Sequence, residues 1–185
     1  ARLSLDGLSV GDALGATFGE GSPNDVSRMQ AETRVLPRAP WQWTDDTHMA
    51  LSIVETLAQH QRIDQDTLAT RFAERFATES YRGYAHGAFN LLEQLGEGAD
   101  WRVLAPAQFR GGSYGNGGAM RAAPIGAFFH GQPEIAASEA LKSAVITHAH
   151  PEGVAGAVAT AVGAALARQE AQPAEFLEQV AHFVE

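Results

Sequence analysis

Two carboxylates stand side by side at Asp45 and Asp46, flanked by the hydroxyls of Thr44 and Thr47. Several hard oxygens within one helical turn suit Mg²⁺ or Ca²⁺. The same residues also suit a helix start, where Thr44 caps and two acids complement the dipole. Both readings stand on the residues alone. A second cluster runs Gly111-Gly112-Ser113-Tyr114-Gly115-Asn116-Gly117-Gly118 and continues into Ala119-Met120-Arg121. Its glycines let backbone N–H groups approach an anion, and a following helix N-terminus would add positive potential. Tyr114 offers a face for stacking on a base and Asn116 a hydrogen bond to a sugar. A plain surface loop is the competing reading.

Two further clusters carry histidines and acids. In Thr147-His148-Ala149-His150-Pro151 the two histidines lie two apart, not at the spacing that puts both on one helix face. They read either as transition-metal ligands or as complements to a helix C-terminus. Asp12, in Gly11-Asp12-Ala13-Leu14-Gly15, is a candidate buried acid, and buried acids need partners or metals. Glu20 lies just beyond, placed for acid–base work or simply solvated.

Helical spacing recurs throughout and no stretch sustains period-two alternation, so the elements that position these groups are helices. The first is expected over Asp6–Phe18, with Gly11 and Gly15 admitting a close neighbour. The second begins at Trp43–Asp46. The third covers Asp64–Thr78, where Leu68, Phe72 and Phe76 step by four. A short helix follows over Ala88–Leu95. After the glycine loop, a helix starts near Pro124. Two longer ones cover Pro133–Thr147 and Pro151–Arg168, the latter with Pro at a favoured first position. A last segment, Ala174–Glu185, reads as a helix without a C-cap.

The chain has 185 residues, which is one domain's length. Hydrophobic residues make up 45% and charged residues 19%, a globular composition. Acids outnumber bases 22 to 13, for a net charge of −9, which argues against nucleic acid as a partner. With no cysteine, disulfides, thiolate zinc sites and a Cys nucleophile are excluded. No apolar run suits a membrane span and the first residues lack a signal-peptide layout, so the expected location is the cytoplasm, without a membrane partner.

Taken in order, the clusters resemble the ADP-ribosylglycohydrolase family, which includes the ADP-ribosyl-acceptor hydrolases and the dinitrogenase-reductase-activating glycohydrolases. The resemblance rests on Gly11–Gly15, Trp43–Thr47, Gly115-Asn116-Gly117-Gly118-Ala119-Met120-Arg121 and Thr147-His148. It covers nearly the whole chain. It implies an all-α orthogonal multi-helix bundle with a binuclear Mg²⁺ centre at its cleft. By resemblance, Thr44, Asp45 and Asp46 supply one share of the metal ligands. Ser113, Tyr114 and the Gly115, Asn116 and Gly117 backbone hold the diphosphate and adenosine side. Tyr114 and Phe109 sandwich the adenine, His148 contacts the diphosphate or ribose, and Gly83 and Gly87 line the cleft near the distal ribose. Glu20 is the acid near the scissile bond, with Asp45 and Asp46 sharing the catalytic centre.

The implied reaction is Mg²⁺-dependent hydrolysis of the glycosidic bond between ADP-ribose and a modified side chain. The expected partners are an ADP-ribosylated protein or an ADP-ribose-containing small molecule. Arg82-Gly83-Tyr84 and the glycine loop look most like the branch acting on serine-linked ADP-ribose or O-acetyl-ADP-ribose. The alternatives are an arginine acceptor, a non-catalytic ADP-ribose-binding or structural member, and a plain phosphate-binding helical domain. The chain departs from the pattern twice. Gly19 occupies the family's acidic position and Glu20 follows it by one. The second, C-terminal Asp-x-Asp-Thr motif does not occur before Glu185, so residues 1–185 are expected to be the N-terminal portion of one domain, with the second ligand set outside them.

Overall fold

A computed structural model describes residues 1–18, 36, 38–167 and 172–184. Among them every regular element is helical: α1 (Arg2–Ala16), α2 (Asp45–His60), α3 (Gln65–Thr78), α4 (His86–Gly96), α5 (Trp101–Ala107), a 3₁₀ turn (Gln108–Arg110), α6 (Ala123–Phe128), α7 (Pro133–Val145), α8 (Pro151–Leu166) and α9 (Pro173–Ala181). The all-α expectation holds. No described helix is long and apolar enough to cross a membrane.

The core forms where the apolar stripes of these helices meet. Ile53 and Leu57 of α2 and Leu68 and Phe72 of α3 are buried together with Leu91 and Leu92 of α4. Burying such a side chain contributes about 1.5–3 kcal/mol each. The other half of the core is a seam of small residues. Ala136, Ala140 and Ala144 on α7 and Ala157, Ala161 and Ala165 on α8 are all fully buried. Small side chains at i, i+4 spacing let these two helices pack closely along their length. α6 also approaches α8 tightly: a Cβ at Gly126 would overlap the Ala161 carbonyl.

Helix starts follow local chemistry. Asp64 caps α3 by accepting from the Thr67 N–H at 3.1 Å, and Asp100 caps α5 by accepting from Arg102 at 2.9 Å. Prolines open α7, α8 and α9. α5 is absent from the sequence reading: seven residues with Pro106 inside give too little periodicity. α1 departs from expectation in two ways. It begins at Arg2 rather than Asp6, and no described atom lies within reach of a Cβ at Gly11 or Gly15. These glycines therefore admit no close neighbour among the described residues.

Candidate functional site

Asp12 ties the first helix to the start of the second. Its carboxylate accepts from the Thr44 N–H at 2.8 Å, the Thr44 hydroxyl at 2.5 Å, the Thr47 N–H at 3.2 Å and the Thr47 hydroxyl at 2.6 Å. Asp12 is half-buried, so its partner is the α2 N-terminus. Thr44 occupies the N-cap position, but its hydroxyl serves Asp12 and makes no capping bond. α2 therefore starts at Asp45, whose N–H donates to the Arg82 carbonyl at 2.8 Å. That bond brings the 79–84 segment against the carboxylates. Gly83, at φ +89°, packs there: a Cβ on it would lie 3.8 Å from Asp45 Oδ1 and from Thr44 Cβ.

Asp45 and Asp46 are half-buried, and no cation pairs with either among the described residues. Burial, then the neighbouring Asp46 charge, pushes the Asp45 carboxyl up to about pH 6. Burial and the Asp12 charge likewise raise Asp46. Crowded carboxylates disfavour their own ionisation, and a hard divalent cation would relieve that. With the Thr44 oxygen, which lies 3.5 Å from Asp46 Oδ1, the donor set suits Mg²⁺ chemically. It is incomplete as a cage: no group of three His, Cys, Asp or Glu fit to hold a metal occurs among the described residues.

Beside Asp45 opens a cleft of about 280 Å³. Gly87 and Ala88 of α4 form one wall. Phe109 follows at the 3₁₀ turn, then the loop from Ser113 to Gly117, with Arg121, Thr147 and His148 at the back. Phe109 and Arg110 adopt left-handed backbone conformations, φ 48° and 57°, followed by Gly111 and Gly112 at φ 147° and 98°. This run turns the Phe109 ring onto Gly87, where a Cβ would lie 3.0 Å from it. The Gln108 amide pins the turn by donating to the Gly87 carbonyl at 2.8 Å. Phe109 and Tyr114 remain largely exposed, at 65% and 69%. Both apolar rings are thus presented at the cleft.

The glycine loop is wrapped around the 147–153 segment. At Gly112 a Cβ would overlap the His150 backbone, and at Gly117 it would overlap the His148 ring. Ser113 Oγ accepts from the Gly115 N–H at 3.3 Å. Turns fill 116–122 and α6 begins at Ala123, close to the start expected near Pro124. The helix N-terminus that meets the loop is that of α8, where a Cβ at Gly153 would overlap the Ser113 carbonyl. The two histidines separate. His148 is buried and lines the cleft, whereas His150 caps α8 by accepting from the Glu152 N–H at 3.2 Å. They form no metal pair. Burial and the nearby Arg121 charge push His148 down to about pH 3, so the ring is neutral at physiological pH.

The structure thus brings together Asp45, Gly87, Phe109, Ser113, Tyr114, Gly115, Asn116, Gly117 and His148 around one cleft. Thr44 and Gly83 lie at its carboxylate end. Glu20 lies outside the described residues. Three groups that the sequence reading quoted within its motifs, without giving them a role, prove to support the site. Arg121 is fully buried, and its guanidinium donates to the Ser143 carbonyl at 2.9 Å and the Thr147 hydroxyl at 2.8 Å, over the Phe72 ring. Thr147 stands between Arg121 and His148. Tyr84 hydrogen-bonds His48 Nδ1 at 2.8 Å behind Asp45. The available signal was a lone Arg inside an otherwise small and apolar stretch.

Fold and cleft together define an all-α protein in which the Asp45 carboxylate and the glycine loop line a common space. The family model described as ADP-ribosylglycohydrolase matches residues 1–185. The ADP-ribosylhydrolase ARH3 of Xenopus tropicalis is 36% identical over 97% of this chain and 53% of its own length. The human ADP-ribosylhydrolase ARH3 is 33% identical over the same shares, 97% and 53%. The ADP-ribosylarginine hydrolase Tri1 of Serratia proteamaculans is 30% identical over 84% of this chain and 43% of its own. The chain belongs to the ADP-ribosylglycohydrolase family. It spans about half the length of the curated relatives it matches.

Proposed function

We propose that this chain supplies the ADP-ribose pocket and one half of a Mg²⁺ site in a hydrolase that cleaves the bond between ADP-ribose and a modified group. The observation that carries this reading is the shared cleft: Asp45, the exposed Phe109 and Tyr114 rings and the His148 ring line one space. The ADP-ribosylhydrolases among its relatives support the same reaction class. The ligand enters with its adenine between the Phe109 and Tyr114 rings. Base–aromatic stacking contributes about 1–3 kcal/mol per base. The diphosphate lies along the Ser113–Gly117 backbone, and His148 donates a hydrogen bond to it or to the ribose. The distal ribose reaches toward Gly83, Gly87 and the carboxylates.

Thr44, Asp45 and Asp46 would hold their share of the metal, which supplies Lewis-acid polarisation and orientation of ribose hydroxyls when bound. Bond cleavage at an anomeric carbon passes through an oxocarbenium-like state, which nearby carboxylate charge favours. Glu20 is the candidate for moving a proton at the scissile bond. Serine-linked ADP-ribose or O-acetyl-ADP-ribose is the favoured substrate, on the strength of Arg82-Gly83-Tyr84 and the glycine loop. The Tri1 likeness keeps an arginine acceptor as the second reading.

Turnover tests this directly. The protein is incubated with serine-linked, arginine-linked and O-acetyl ADP-ribose, with Mg²⁺ and with a chelator. Release of ADP-ribose from the serine or O-acetyl substrate with Mg²⁺ only is expected. Cleavage of the arginine substrate alone would select the second reading. Cleavage undiminished by the chelator would remove the metal from it.

A further inference from the structure

The histidine at the back of the cleft ends a chain of three side chains, Arg121, Thr147 and His148. A guanidinium can only donate hydrogen bonds. Arg121 Nη2 lies 2.8 Å from Thr147 Oγ1, so that oxygen accepts. The Thr147 hydroxyl proton must then go elsewhere, in a site where Thr147 is 2% exposed. Among the described residues its one other neighbour at hydrogen-bond distance is His148 Nδ1, at 2.7 Å. Were Nδ1 to carry a proton and donate to Thr147, the threonine proton would be buried without an acceptor. Leaving a buried donor unsatisfied costs about 1–3 kcal/mol. The hydroxyl therefore donates to Nδ1, and the ring carries its proton on Nε2.

That nitrogen opens toward the glycine loop. A Cβ at Gly115 would lie 3.5 Å from His148 Nε2, and one at Gly117 would lie 2.8 Å from it. No protein atom among the described residues accepts from Nε2, and the residue lines the cleft. The two glycines keep the space before the donor clear.

We propose that Arg121 and Thr147 are positioning residues that fix His148 as its Nε2–H tautomer, a neutral hydrogen-bond donor aimed at an acceptor oxygen of the bound ligand. The buried Arg121 charge thus acts on the ligand through two side chains, without touching it. A neutral donor fixed in this way discriminates by direction rather than by charge. The ligand half of this inference rests on the ADP-ribose reading above; the tautomer half does not.

The test is a long-range ¹H–¹⁵N correlation spectrum of the histidine rings in the full-length protein without ligand, assigned with His148→Asn. Wild type is expected to show Nε2 protonated and Nδ1 bare. Thr147→Val should shift His148 toward a mixture of tautomers, and Thr147→Ser should restore the wild-type pattern. A purely structural threonine would not move that signature. Thermal unfolding of each variant establishes that it is folded. The dissociation constant for ADP-ribose is expected to rise about 5–10-fold in Thr147→Val and to recover in Thr147→Ser. A wild-type ring protonated on Nδ1, or an unchanged ring pattern in folded Thr147→Val, overturns the relay. The expected ring pattern without ADP-ribose affinity in the wild type upholds the relay and overturns the ligand.

Discussion

Asp45 is held where ionisation is costly, beside Asp46 and out of full solvent. Its carboxyl is raised from 3.8 unfolded to about 6 folded, so the folded state binds the proton more tightly. Ionisation therefore costs stability: the penalty is complete above about pH 6 and vanishes as pH falls toward 4. Asp45→Asn should stabilise the metal-free protein at pH 7.5 by ~1–2 kcal/mol after allowance for solvent screening. The gain should disappear near pH 4. Denaturant midpoints of both proteins at the two pH values check this, and an equal difference at both would contradict it. The same variant should lose its stabilisation by Mg²⁺. At the other end of the cleft, Tyr114→Ala should weaken ADP-ribose binding by about 1–3 kcal/mol. An unchanged dissociation constant would remove Tyr114 from the site.

The bundle is built from helices whose approach is set by small residues. Gly126→Ala should push α6 away from the Ala161 carbonyl of α8 at a cost of about 1–3 kcal/mol, read as a lowered denaturant midpoint. A midpoint within ~0.3 kcal/mol of wild type would mean that the approach is softer than described. Helix identity was legible in the sequence where a start signal met a clear stripe. Asp64 with Leu68, Phe72 and Phe76 defined α3 to within a residue, and Pro151 marked the start of α8. Legibility failed where position depends on distant partners. Thr44 has a capping residue's chemistry, yet Asp12, thirty-two positions away, takes its hydroxyl. Thr147, adjacent to His148, likewise has a role only because Arg121 arrives from another segment. The two histidines share one short motif, but the start of α8 divides them between cleft and cap.

At the scale of the whole molecule, burial of neutral histidines decides the response to acid. His48 is lowered to about 4, by burial and then by Arg75, and His148 to about 3. The unfolded chain protonates both near 6.5, so their contribution to stability is lost as pH falls below that value. Two such groups oppose the gains from Asp45 and Asp46. The metal-free protein should therefore melt at lower temperature at pH 5 than at pH 7, whereas a flat profile would contradict this balance. The central claim is that the cleft takes ADP-ribose and that the carboxylates at its end take Mg²⁺. Calorimetric titration of the protein with ADP-ribose, once with Mg²⁺ and once with a chelator, tests both together. The account predicts saturable binding that is tighter with Mg²⁺. The absence of binding in either condition would contradict it.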